Sequence, residues 1–188
     1  MDYREEIESF LPLCEQEKTD REVMLECCRL FGDRILERSC RLAHLTASSM
    51  IFNRERTKVL MAYHNIYDSW SWLGGHADGE TDLLEVAMRE VREESGVKTV
   101  HPVSEEIYSL EVLTVDGHVK RGEYVSSHLH LNVTYLLQAE ETDVLHIKED
   151  ENSNVGWFSL EDAVAASTEP WFQEHIYRKL NEKLVNIK

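Results

Sequence analysis

The sequence predicts an α/β fold: a mixed sheet packed by helices on both faces, preceded by a helical N-terminal extension. Three observations predict it. Residues 1–41 carry helical apolar periods and no alternating run. From His44 onward, short β-prone runs and turn residues flank one strongly helical stretch, 82–95. A last helical period closes the chain after Pro170. The 188 residues, 42 % of them hydrophobic, suffice for a real core.

Each element follows in order. Ile7, Phe10, Leu11 and Cys14 share a helical period over residues 3–14, with Pro12 placed to end or kink it. Thr19-Asp20-Arg21-Glu22 has the pattern of a capping box before Val23, Met24, Cys27, Leu30 and Phe31, and Gly32 suits a helix stop. Asp33 is placed to cap a short helix to about Cys40. Leu45–Asn53, Lys58–His64 and Trp70–Leu73 read as strands, and residues 82–95 as the central helix. Extended segments are expected in Val100–Leu113, with a hairpin or loop at VDGHVKRGE. The clearest strand is Ser126–Gln138, with Leu129, Leu131, Val133 and Tyr135 alternating. An acidic loop, EETDVLHIKEDENSN, leads to a strand at Val155–Phe158, a helix at Leu160–Ala166 and a final helix on Phe172, Ile176, Leu180 and Leu184. The expected division is therefore 1–41 and 42–188.

A net charge of −16 argues against a nucleic-acid backbone as partner, since phosphate tracts call for clustered Lys and Arg. It remains compatible with a small phosphorylated substrate held through a divalent cation. No run is apolar enough to span a bilayer, and MDYREEIESF lacks the basic-then-apolar pattern of a secretory signal, so the expected location is the cytoplasm. The four cysteines, Cys14, Cys27, Cys28 and Cys40, lack a CxxC pair. They read as apolar helix filling rather than as a zinc site with His44.

The chemistry concentrates in GGHADGETDLLEVAMREVREESGV, residues 74–97. On a helical wheel Leu84, Ala87, Met88 and Val91 fall on one side. Glu90, Glu93 and Glu94 fall on the other, with Val86 among them. Like charges three and four apart repel by roughly a few tenths of a kcal/mol per pair, which a wet surface tolerates. A salt-bridge-laced solvated face is the plain alternative for REVREE by itself. The preceding Gly74, Gly75 and Gly79 change the balance, because glycines let the backbone approach a bulky anion. A phosphate-holding loop joined to a carboxylate-bearing helix is what cleavage of a diphosphate with Mg²⁺ or Mn²⁺ requires.

This stretch resembles the Nudix box. Gly75 and Arg89-Glu90-Val91-Arg92-Glu93-Glu94-Ser95-Gly96-Val97 match that pattern in register, while Thr81 stands where the family has its first Glu and Glu80 lies one residue early. His44-Leu45-Thr46-Ala47-Ser48 is similar to a strand that precedes the box in a subgroup with a shortened loop and a helical N-terminal extension. The resemblance implies a Nudix-type α/β/α sandwich. It also implies hydrolysis of a nucleoside diphosphate linked to another moiety, with Mg²⁺ or Mn²⁺. Carried over by position, Glu90 and Glu94 would be the main metal ligands and Glu93 a further one. Gly75 would offer backbone to the metal or phosphate. Arg89 would hold a box glutamate by an ion pair, and Glu85, four residues earlier, is placed to substitute for the missing partner. The general base in such enzymes is either a box glutamate or an acid on a later loop. The catalytic candidates are thus Glu93, Glu94 and Glu151, with Glu151 the choice from the run Glu149-Asp150-Glu151.

Other residues invite a role. His76 sits among the glycines, where it could contact phosphate. His128 and His130 alternate on one strand and could line the cleft or add a metal ligand. Tyr67, Trp70 and Trp72 could stack on a flat group or fill a core, with Trp72 taken as the substrate contact. Two other classes stay open: a Nudix-like binding module without turnover, and diphosphate isomerisation, which would need a cysteine near the site. The N-terminal helices could cover the site or make a homodimer contact.

Overall fold

A computed structural model describes residues 2–66, 68–120 and 122–185. Its architecture is that of the predicted class: a mixed sheet with flanking helices, after an N-terminal helix pair. The chain forms two compact units. One comprises residues 1–48, 74–87 and 104–135, the other residues 49–73, 88–103 and 136–188.

In the first unit, α1 (Tyr3–Ser9) opens with a capping box. The Asp2 side chain accepts from the backbone N–H of Arg4, and Glu5 reaches back to the backbone N–H of Asp2. The helix stops five residues sooner than its apolar period suggests. Pro12 has no N–H to give and would clash with the carbonyl one turn back. The next helix, α2 (Glu15–Phe31), starts before the expected Thr19–Glu22 cap, which lies in its interior. Asp20 is used elsewhere, since its carboxylate accepts from the backbone N–H of Val112 at 3.1 Å. Glu17, fully buried, likewise accepts from Ser109 Oγ at 2.8 Å, so polar side chains fasten α2 to the strand β6 (Ser109–Val115). Gly32 ends α2 at φ 57°, as its type predicts, and a short 3₁₀ turn, Gly32–Leu36, stands where a helix to Cys40 was expected.

Four strands of this unit run in the order β4 (Leu73–His76), β1 (Ala43–Phe52), β9 (His128–Ala139), β6. Asn132 on β9 is a buried hub. Its Oδ1 accepts from Thr46 and Ser48 of β1, and its Nδ2 donates to Glu111 of β6. Gly74 is required by contact rather than by its angles, because a Cβ there would lie 2.5 Å from the Ala47 carbonyl oxygen. The VDGHVKRGE segment is a hairpin of β7 (His118–Lys120) and β8 (Glu123–Val125).

In the second unit, β2 (Lys58–His64) is flanked by β10 (Asn152–Ser159) and β1, and also pairs with β3 (Ser69–Ser71). The short β5 (Val100–Pro102) pairs antiparallel with the end of β9. Helix α4 (Leu160–Ala166), capped by Ser159, lies against β10 and β2. The last helical stretch runs through α5 (Pro170–Phe172), a π turn and α6 (Arg178–Val185).

The central helix α3 (Leu83–Ser95) passes through both units and differs from the wheel in one respect. Val86, expected among the acids, is fully buried, as are Leu83, Ala87 and Val91, while Leu84 and Met88 are half-buried. Burying such side chains is worth about 1.5–3 kcal/mol each, which outweighs carboxylate repulsion of roughly tenths of a kcal/mol. The buried stripe steps 83, 87, 91, 94, so Glu94, only 1 % exposed, lies on it, and the half-buried Glu90 stands at its margin.

Candidate functional site

The second unit brings three of the expected acids together. Carboxylate oxygens of Glu90, Glu94 and Glu151 lie within 4.8 Å of one another. Glu90 and Glu94 come from the last two turns of α3. Glu151 comes from the loop before β10, and the contacts of that loop explain how it arrives. The backbone N–H of His146 donates to the Ser95 carbonyl at 2.8 Å, and Asn152 Nδ2 donates to the Glu94 carbonyl at 2.9 Å. Gly96 ends α3 at φ 72°, and a Cβ on it would meet His146 Cδ2 at 2.7 Å. The terminal glycine of the box therefore does two things: it turns the chain, and it lets the loop carrying residues 146–152 sit against the helix end.

Lys148 lies among these acids. Its Nζ is 3.0 Å from Glu151 and 3.1 Å from Glu93. Burial works against its charge, but the hydrogen bonds to Glu151 and Glu93 outweigh that and hold the ammonium above its ordinary range. Burial pushes the Glu90 carboxyl up, opposed by Lys148 and reinforced by Glu93. Arg89 Nη2 stands 3.4 Å from Glu90 Oε1, an ion pair to a box glutamate. His64 Nε2 on β2 is 3.8 Å from Glu94 Oε1. Glu93 points outward, its side chain 47 % exposed. Lys148, Asn152 and His64 were not singled out from sequence. Lys148 had a signal, being the lone cation of the acidic run.

This donor set fits a hard divalent cation. It offers oxygen ligands from carboxylates, one of them almost wholly removed from water, and a lysine offsets part of their charge.

The remaining candidates fall elsewhere. Gly75 is in β4, in the first unit, where Thr81 is exposed and both its N–H and that of Asp82 donate to Glu80 Oε1. Glu80 thus serves the start of α3. His76 also lies in the first unit, among His44, His128 and His130. Burial, with help from Arg38 and from neighbouring imidazoles, pushes His76 and His130 down to about 2. Trp72 packs edge-on against Phe172 and Tyr177, and Trp70 against Tyr63 and Phe158. Tyr67 lies outside the described residues. Cys28 and Cys40 are buried and Cys14 is exposed, all as free thiols. No helix among the described residues is long and apolar enough to cross a membrane.

Comparison with known proteins adds to this picture. The model of the NUDIX domain family matches residues 43–180. Among solved structures, the chain is similar to a C. elegans Ap4A hydrolase in a binary complex, at 19 % identity and TM-score 0.54, covering 76 % of this chain and 95 % of that one. It is similar to a NUDIX family hydrolase from Clostridium perfringens, at 23 % identity and TM-score 0.54, covering 77 % and 98 %. A MutT protein from Methanosarcina mazei aligns at 18 % identity and TM-score 0.56, covering 78 % and 96 %. At these identities the likeness is one of fold. A search of curated proteins finds no significant match.

Proposed function

Since the chain belongs to the NUDIX domain family, whose reaction is hydrolysis of a pyrophosphate bond, we propose that it cleaves the diphosphate of a nucleoside diphosphate linked to another moiety, such as ADP-ribose or a sugar nucleotide. The observation that carries this reading is the meeting of Glu90, Glu94 and Glu151 within 4.8 Å. Mg²⁺ or Mn²⁺ held there would neutralise phosphate charge and lower the pKa of an attacking water. Glu90 and Glu94 are the main ligands in this reading, and Glu93, from its exposed position, ligates through water. Glu151 is the general base: it is on a loop, partly exposed to water, and its carboxylate meets those of Glu90 and Glu94. Lys148, in reach of both Glu93 and Glu151, is then their counter-ion, which a bound cation would displace from Glu151. Arg89 steadies Glu90. The match that starts at residue 43 supports taking 42–188 as the hydrolase domain and 1–41 as an extension.

The test is a panel of ADP-ribose, NADH, sugar nucleotides and nucleoside triphosphates with Mg²⁺ and with Mn²⁺, at neutral and alkaline pH. Metal-dependent release of two phosphate-bearing products from a linked diphosphate is expected. Inactivity across the panel, with calorimetry still detecting a nucleotide, would replace the enzyme with a binding module.

A further inference from the structure

The first unit holds a second group of ligand atoms that shares no residue with the carboxylates. Ligand nitrogens of His44, His76 and His130 lie within 4.8 Å of one another. The three come from β1, β4 and β9, with ring centroids 5.1 Å (His44–His76), 5.0 Å (His44–His130) and 4.9 Å (His76–His130) apart. His44 is 4 % exposed, and its Nε2 is buried without a hydrogen-bond partner among the described residues. Its other ring nitrogen explains the state of that atom. Nδ1 faces the Cys40 carbonyl at 3.3 Å, and a carbonyl can only accept, so Nδ1 carries the proton and Nε2 a bare lone pair. A carbonyl on the far ring nitrogen is the usual way a protein fixes a metal-binding imidazole. A buried acceptor left unsatisfied is destabilising, and a bound cation would satisfy it.

His128 gives the arrangement an outer support. Its Nδ1–H donates to the Ser126 carbonyl at 2.8 Å, and its Nε2 lies 3.3 Å from His130 Nε2. Arg38, whose charge acts on these imidazoles, is engaged by Asp78, with Nε 2.6 Å from the carboxylate.

We propose that His44, His76 and His130 form a nitrogen-only site for a borderline divalent cation such as Zn²⁺, which ties β1, β4 and β9 together. Three neutral imidazoles select such an ion over Mg²⁺, and three protein ligands leave a coordination position open. His76 is then a metal ligand rather than a phosphate contact. This assignment does not depend on the hydrolase reading.

The test is Zn²⁺ titration of the metal-stripped protein against a chromophoric chelator in excess Mg²⁺, which keeps the carboxylates occupied. One equivalent of Zn²⁺ that Mg²⁺ does not displace is expected. Co²⁺ in its place should give visible absorption typical of nitrogen ligation, and the melting temperature should rise with Zn²⁺ concentration. His76→Asn and His130→Gln should each lose that equivalent, while Glu94→Gln keeps it. Zn²⁺ uptake that Mg²⁺ abolishes, or that persists in both histidine variants and disappears in Glu94→Gln, overturns the proposal. Should the histidine variants fail to fold, the Co²⁺ spectrum of the unaltered protein decides: its absence refutes the site.

Discussion

The carboxylates of the second unit and the imidazoles of the first are each three ligand atoms within 4.8 Å, yet they manage charge in opposite ways. The acids keep a counter-ion, Lys148, whose ammonium also reaches the exposed Glu93. Of the imidazoles, His44 is buried and His76 and His130 are half-buried; burial keeps His76 and His130 neutral, and among the described residues His44 Nε2 has no hydrogen-bond partner. Carboxylates gathered this closely repel one another, and a lysine beside them offsets part of that repulsion. A neutral cluster needs nothing until the cation comes, and it then prefers a different kind of ion. On the two proposals, one chain carries a hard oxygen site and a borderline nitrogen site.

The acid cluster should give the strongest response to substitution. Glu94→Gln should lower kcat at least about 100-fold, more than the ~10–100-fold typical of outer partners, with an unchanged thermal unfolding profile. Glu93→Gln should cost less than about tenfold, because its carboxylate faces water. If the exposed glutamate proved the more damaging of the two, the reading of Glu94 as a main ligand and Glu93 as an outer one would be wrong.

A weaker response bears on the counter-ion. Lys148→Met leaves acids facing one another, so urea unfolding of the metal-free protein should give a stability lower by about 1 kcal/mol. Mn²⁺ affinity should stay the same or tighten, since the competing cation is gone. Affinity weakened by more than tenfold would assign Lys148 to holding the ligands in place instead.

The same contrast explains what could be read in advance. The box is contiguous, so helical spacing alone gathers Glu90, Glu93 and Glu94, and strands such as Lys58–His64 are bounded by clear turn residues. Glu151 required knowing that an acid follows on a later loop, and its place depends on Gly96 and Asn152. The imidazole group is built from residues 44, 76 and 130, which only strand pairing brings together. Local rules also lost to packing at Val86, where burial chose the rotation of α3, and at Asp20, where a capping pattern served a contact with β6 instead.

An anomalous difference map at the manganese edge, from crystals soaked in Mn²⁺, would decide whether the acids hold a cation. A peak bounded by Glu90, Glu94 and Glu151 is expected, with Lys148 drawn away from Glu151. Density for Lys148 unmoved between Glu93 and Glu151, and no peak among those three side chains, would contradict it.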